Sequence, residues 1–469
     1  MKNAAIIGKI LLQGKLILDS PLIIGSEETG NSVDITVLKD HQGRPYIPAT
    51  SLTGVMRHFF FESFVPNMQD KEKQEQINMF WGYENRQNKD NCFQSALAIS
   101  DSFLSPQENP IIRVRDGVKL DSYLGIAEDK CKFDYEVVEP GITFDLKMEI
   151  TLREANREHK EVYLEILALL AEAMEQGEIT LGRMTTKGFG RFRLVDTSWY
   201  QYDFTQVANV FAWLNRDLEQ VKKTSIKPSD MFTKKGRSLE IKAHFSIKNS
   251  LIIRSYSGTP EEPDAVHITS AGKTILPGTS VKGAVRNRAL EIINVLGGNG
   301  EKMTKSLFGW ADTECSENKG KTKQKSRLIV RETEINNTIS MVQNRIKIDR
   351  FTGGTITGAL FNTMPLWPGD DKKAMVTIEM LVPDFEEWEA GLLLLIVKDL
   401  WTGDLPLGGE KNVGRGVLQG ISVEIRVDKN IIAISETPNG NLSVGGAADM
   451  LEGLVTSLAA KCQAEGGCS

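Results

Sequence analysis

Two kinds of residue in this chain could do chemistry, and each occurs twice. The first is an aspartate in a loop. Asp34 opens DITVLKDHQGRPYIPATSLTGVMR, which runs to Arg57, and Asp264 opens DAVHITSAGKTILPGTSVKGAVR, which runs to Arg286. In both copies it stands between a Gly/Ser/Thr-rich turn and a proline, Pro48 or Pro277, where folding has no need of a carboxylate. Such a group is either an ordinary loop cap or one that holds a metal or accepts a proton. The second kind is a glycine cluster, LGRMTTKGFGR from Leu181 to Arg191 and LGGEKNVGRG from Leu407 to Gly416. Gly182, Gly188 and Gly190, and later Gly408, Gly409 and Gly414, would let backbone N–H groups come close to an anion. Arg183, Lys187, Arg191 and Arg193 add positive charge to the first cluster, with no acidic residue between Glu178 and Asp196; Lys411 and Arg415 sit in the second. Each is a phosphate cradle or a tight loop that returns a strand to its sheet. Neither has the GxxxxGK[ST] order of a nucleotide loop, so an ATP site is not indicated.

The elements around the aspartates are legible. Thr50 and Ser51 precede Leu52, Val55, Met56 and Phe59; Thr279 and Ser280 precede Val281, Ala284, Val285 and Ala289. Both spacings predict a capped helix packed on a core. Gly54 and Gly283 fall inside those helix starts, where glycine costs roughly 1 kcal/mol relative to alanine. Close packing against a sheet would explain them. So would a phosphate lying over the N-terminal turn, favoured by the helix dipole and by Arg57 or Arg286.

The repetition extends along the chain. Leu22-Ile23-Ile24 matches Leu251-Ile252-Ile253, Phe80-Trp81-Gly82 resembles Leu307-Phe308-Gly309, Lys119-Leu120-Asp121 matches Lys347-Ile348-Asp349, and Leu181-Gly182 matches Leu407-Gly408. These landmarks keep their order at a nearly constant offset, so the chain is a tandem duplication. A length of 469 residues exceeds what one core usually holds. The boundaries expected are a first domain over 1–200, a helix and linker over 201–237, a second domain over 238–427, and a tail over 428–469. The helix is read over Phe204 to Val221, and Lys222 to Arg237 as the linker.

Strands are expected over Ile10 to Leu18, Phe144 to Leu152, Leu239 to Ile247 and Met375 to Leu381, and helices over Glu161 to Met174 and Glu387 to Leu400. Strands mixed with two helices per half predict an α+β sandwich of the ferredoxin-like kind. Long insertions, about Ile111 to Pro140 and about Leu328 to Pro368, read as projecting β-hairpins. The run Glu314 to Lys325 is polar. The tail reads as a hairpin around Pro438-Asn439-Gly440 and an Ala/Leu helix ending near Lys461.

The net charge of -6 argues against binding nucleic acid through bulk positive charge, while leaving room for a local basic face. Five cysteines without a CxxC point to neither a disulfide framework nor a zinc site. No stretch approaches a membrane span, and a cytoplasmic protein is expected.

The order of a loop aspartate, a PxxSLxG helix start and a terminal glycine-rich GxGR loop resembles the RAMP superfamily of CRISPR-associated proteins, in particular the backbone subunits of type III effector complexes. The resemblance covers both halves, as two such subunits fused in one chain of a type III-D-like system. It implies modified RRM domains stacked along a guide RNA, each with a β-hairpin thumb that wedges between guide and target base pairs and flips a nucleotide. Base pairing then reads the sequence, and protein contacts the RNA backbone. Partners implied are guide RNA, target RNA and other type III effector subunits, with no membrane.

In active members of that family the loop aspartate is needed to cut target RNA with a divalent metal, leaving a 2′,3′-cyclic phosphate. Carried over, the catalytic residues are Asp34 and Asp264, with Asp34 also holding Mg2+ or another divalent metal. The RNA-binding residues are Ser51, Gly54, Arg57, Ser280, Lys282, Gly283 and Arg286 at the helix starts. Those in the glycine loops are Gly182, Arg183, Lys187, Gly188, Gly190, Arg191, Gly408, Gly409, Lys411, Gly414 and Arg415. His267 is a further group that could move a proton. The alternative is a scaffold that holds guide RNA without cutting. An endonuclease that matures the guide precursor ranks last, because neither glycine loop has a histidine or tyrosine nearby. No GGDD-type setting surrounds Gly369-Asp370-Asp371, against a polymerase-like signalling subunit.

Overall fold

The computed structural model describes residues 5–26, 33–66, 69–84, 93–120, 127–218, 226–234, 236–256, 262–311, 323–369, 373–437 and 439–466. The chain divides into two units. One comprises Met1–Arg115, Phe133–Thr185 and Phe189–Lys235; the other comprises Asp116–Lys132, Thr186–Gly188 and Gly236–Ser469.

The first unit is built on β1 (Ile6–Leu18), whose alternating Ile10, Leu12, Leu16 and Leu18 are buried on one face. α1 (Ala49–Phe64) and α2 (Lys71–Trp81) follow, then β2 (Leu97–Ile99). Next in the chain come the insertion strands β3 (Ile112–Leu120) and β4 (Ala127–Val138), of which 116–132 count with the other unit, then β5 (Thr143–Arg153), α3 (Lys160–Glu175) and β6 (Phe192–Asp203). The antiparallel sheet runs β2-β5-β1-β6. Numbering the four in chain order gives 2-3-1-4, the ferredoxin-like arrangement. α1 turns Leu52, Met56, Phe60 and Phe64 into the core, one residue per helical turn, and α3 is buried over most of its circumference. On the other sheet face, α4 (Val207–Leu214) covers Leu11, Tyr200 and Tyr202 with Ala212 and Trp213.

The second unit repeats the plan with β7 (Ser238–Ile247), α5 (Gly278–Val295), α6 (Gly300–Phe308), β8 (Thr333–Asn336), β9 (Gln343–Ile348), β10 (Thr355–Met364), β11 (Met375–Pro383), α7 (Glu387–Thr402) and β12 (Leu418–Val427). Its central order, β8-β11-β7-β12, is again 2-3-1-4. β13 (Asn430–Glu436) and β14 (Leu442–Gly445) extend that sheet beyond β12, and α8 (Ala448–Gly466) lies on α7. Gly391 permits this helix contact, since a Cβ there would meet the Leu454 carbonyl oxygen at 2.2 Å. Both units are therefore α+β and ferredoxin-like.

Each insertion forms a hairpin, β3 with β4 and β9 with β10. The tip of the second is closed by Asp349, whose Oδ1 accepts from the backbone N–H of Phe351 (2.9 Å) and Thr352 (2.8 Å). Two segments do more than the sequence suggests. Part of the expected linker, 226–234, packs on the first domain: Phe232 meets Phe60 at 5.4 Å between ring centroids, and the Ser229 N–H donates to Glu165 Oε2 at 2.7 Å. The tail helix gives Leu454, Leu458 and Cys462 to the second core. Residues 222–225 and 235 of the linker, 314–322 of the polar run, and Pro438 lie outside the described residues.

Among the described residues, no helix is long and apolar enough to cross a membrane.

Candidate functional site

The structure holds the two loop aspartates in the same way. Asp34 is exposed, and its Oδ2 accepts from the Asp134 backbone N–H at 2.9 Å, on returning hairpin strand β4. Asp264 is also exposed, and its Oδ2 accepts from the Asn362 backbone N–H at 2.9 Å, on returning hairpin strand β10. In each domain one carboxylate oxygen ties the loop to the hairpin base. The turns before the aspartates, 27–32 and 257–261, lie outside the described residues. Among the described residues, no three His, Cys, Asp or Glu side chains gather into a set that could hold a metal ion.

Asp40, in the first loop only, caps a turn by accepting from the N–H groups of Gln42 (2.8 Å) and Arg44 (2.9 Å). His267 is buried. Its Nδ1 accepts from the Ile253 N–H (3.2 Å), and its Nε2 is 2.8 Å from the Ile275 carbonyl oxygen. Burial pushes its pKa down to about 4, so it is a neutral structural residue with both nitrogens engaged.

Within the helix starts, the repeated glycines stand on the exposed side. Ser51 and Ser280 lie in the first turns of α1 and α5, each N–H donating to the carbonyl of the proline before the helix, at 3.0 and 3.1 Å. Among the described residues, a Cβ on Gly54 or Gly283 would meet nothing within 4 Å outside its own helix turn. Packing against the sheet therefore does not explain these glycines. Arg57 is exposed, with its guanidinium 5.4 Å from the Phe61 ring centroid. Arg286, likewise exposed, lies with Lys187 and Lys325 among the positive charges that act on Lys282. Lys282 is buried, and its Nζ donates to the carbonyls of Leu328 (2.7 Å) and Thr186 (3.1 Å).

The glycine loops repeat one pattern of positive φ: +84° and +82° at Gly182 and Gly408, +59° and +57° at Met184 and Glu410, +94° and +80° at Gly188 and Gly414, and +73° and +78° at Gly190 and Gly416. Their amides are largely used within the chain. The N–H groups of Arg183 and Gly190 donate to Ile23 and Pro21, and those of Gly409 and Gly416 to Ile252 and Ser250. A Cβ at Gly182 would lie 2.2 Å from the Ile23 oxygen, and one at Gly408 would lie 2.4 Å from the Ile252 oxygen. Close approach of the chain's own carbonyls thus accounts for those glycines. Of the loop cations, Arg183 and Lys411 are exposed, Lys187 and Arg191 are half-buried, and Arg415 is buried. Arg415 ion-pairs with Glu410 at 2.7 Å, and Glu410 also receives Arg345 (2.8 Å) and Arg254 (3.0 Å).

Sequence reasoning passed over the surroundings of Arg57. With Gly82, Tyr83, Glu84, Phe93 and Gln94, it lines an open pocket of about 610 Å³. The signal was present as an aromatic following the repeated glycine, Tyr83 after Gly82 and Trp310 after Gly309.

Against known proteins, the family model described as the RAMP superfamily matches residues 15–193 and 230–419. No curated protein matches the chain significantly.

Proposed function

The chain belongs to the RAMP superfamily, matched over two regions that make up most of it, and on that premise we propose a backbone subunit of a type III CRISPR effector complex that cuts target RNA at Asp34. Proteins of this superfamily bind RNA and act in CRISPR complexes. The observation that carries RNA binding is the duplicated helix glycine: Gly54 and Gly283 each weaken a helix, have no neighbour within 4 Å of a Cβ position among the described residues outside their own helix turn, and are followed one turn later by an exposed arginine. A sugar-phosphate chain crossing that turn would use the vacant side, the helix dipole and the guanidinium together.

Cleavage would proceed by attack of a ribose 2′-oxygen on the adjacent phosphorus. The P–O5′ bond breaks, the 2′-OH proton passes to a base, and the O5′ leaving group takes up a proton; a 2′,3′-cyclic phosphate and a 5′-hydroxyl result. The step needs an unstacked nucleotide so that the 2′-oxygen stands in line with O5′. The Asp134 N–H holds one oxygen of Asp34 in place, and among the described residues the other oxygen has no hydrogen bond. That second oxygen can accept the 2′-OH proton or hold a divalent metal, whose positive charge would offset the negative charge that builds up on the phosphorane. Asp264 is the corresponding group in the second domain.

The scaffold reading has an observation in its favour, since the aspartate-to-hairpin hydrogen bond would brace the loop without any chemistry. The two separate in the assembled complex with guide and matched target. Asp34→Ala should abolish one cut and Asp264→Ala another, with guide binding retained. An unchanged cleavage pattern in both variants would leave the scaffold.

A further inference from the structure

The pocket beside Arg57 is made by a short, firmly held ribbon. The N–H of Tyr83 donates to the Phe93 carbonyl (3.0 Å), and the N–H of Phe93 donates back to the Tyr83 carbonyl (2.8 Å). Gly82 must be glycine, because φ is +82° and a Cβ would approach the Ser95 nitrogen to 3.0 Å. The Ser95 hydroxyl fastens the ribbon through the carbonyls of Leu97 (2.7 Å) and Phe80 (2.9 Å). So fixed, the Tyr83 side chain is left 42% exposed.

The second domain contains the same device. Gly309 has φ +74°, and its Cβ would lie 2.5 Å from the Gln324 carbonyl oxygen. Trp310 pairs with Gln324, and the Ser326 hydroxyl reaches the carbonyls of Leu328 (3.0 Å) and Leu307 (3.1 Å). The Trp310 side chain is only half-buried. Two domains that differ at many positions thus keep a glycine, an accessible aromatic and a serine clasp, and each also has an arginine in the third turn of its first helix, which in the first domain lines the pocket with the ring. Core packing does not require an accessible ring. An aromatic face beside a guanidinium is a setting that recognises an unpaired nucleotide, through stacking on the base and charge on the phosphate.

We propose that Tyr83 and Trp310 are nucleobase-stacking platforms, one in each domain, each receiving one unpaired nucleotide of a single-stranded RNA whose phosphate is held by Arg57 or Arg286. The proposal rests on the RNA-binding reading above and adds the stacking residues to it. In the first pocket Gln94 accepts from Arg153 through Oε1 (3.3 Å), leaving its NH2 to donate to a base edge. Glu84 repels phosphate and accepts N–H from a base, so the phosphate end lies towards Arg57. Lys325, next to the Ser326 clasp, supplies the positive charge in the second domain.

The test uses the full-length chain and a fluorescein-labelled, unstructured RNA oligonucleotide of mixed sequence. Tyr83→Leu and Trp310→Leu keep an apolar side chain but remove the ring, and should each weaken binding by roughly 5- to 100-fold. Tyr83→Phe and Trp310→Phe should bind within about twofold of the parent, because a phenyl ring still stacks. Arg57→Ala should lower the slope of log affinity against log salt by about 1, whereas the ring variants leave that slope unchanged. RNA should also quench tryptophan fluorescence in the parent, with a smaller quench in Trp310→Phe. Leucine variants that bind like the parent would overturn the platforms while RNA binding stands. Failure of the parent chain to bind RNA at all would remove both readings.

Discussion

Lys282 shows how one residue can report on the ligand. Burial first, then the charges of Lys187, Arg286 and Lys325, push its pKa down to about 7 from the ordinary 10.5. In the unfolded chain it would stay protonated to about 10.5, so across pH 7 to 10.5 the unfolded state binds the extra proton and its contribution to stability rises with pH. A polyanion laid beside these cations favours the charged lysine, so binding takes up a proton. RNA affinity should therefore weaken as pH rises from about 7 towards 9 at constant ionic strength, and Lys282→Met should flatten that trend in anisotropy titrations. His267 acts in the same direction over a lower pH range. Its folded pKa of about 4 lies below the unfolded 6.5, so stability present above pH 6.5 is lost as pH falls to about 4. The loss is on the order of 3 kcal/mol, measurable as a difference in urea unfolding between the parent and His267→Gln. The sequence singled out Asp34 and Asp264 because the duplication aligned them. It did not reveal their partners, since Asp134 and Asn362 are distant in the chain and contribute backbone rather than side chain.

Among the elements, the glycine loops diverge most informatively. Phe189 and Arg415 hold the same place in their loops, both buried. Phe189 packs against Ile23, Tyr135 and Val137, with Met184 alongside; Arg415 joins Glu410, Arg254 and Arg345. One loop is locked by apolar packing and the other by ions, on a shared backbone. Glu410→Ala would strand a buried guanidinium and should destabilise the second domain by about 3–5 kcal/mol, whereas Met184→Ala should cost about 2–5 kcal/mol at most, as a half-buried cavity. Denaturant midpoints of the two variants check both. The sequence showed the glycines but left open whether anion or chain required them, because the carbonyls of Pro21, Ile23, Ser250 and Ile252 come from another part of each domain. The helices and central strands were legible because alternating and 3.6-residue apolar patterns are local. The packing of 226–234 was not, because Phe232 stands in a run otherwise composed like a linker.

At the scale of the molecule, the chain is a duplicated ferredoxin-like domain with a tail that has no counterpart in its first half. Both domains keep the open helix glycine, the third-turn arginine, the anchored aspartate and the clasped aromatic. A net charge of -6 means that RNA must be held by local basic features rather than by overall attraction. The most direct measurement is the paired effect of Gly54→Ala and Gly283→Ala on stability and RNA affinity. Among the described residues each added methyl meets nothing within 4 Å outside its own helix turn, so each variant should be more stable by about 0.5–1 kcal/mol. If RNA crosses these turns, the same variants should bind it several-fold more weakly. Raised stability with unchanged RNA affinity would contradict the account.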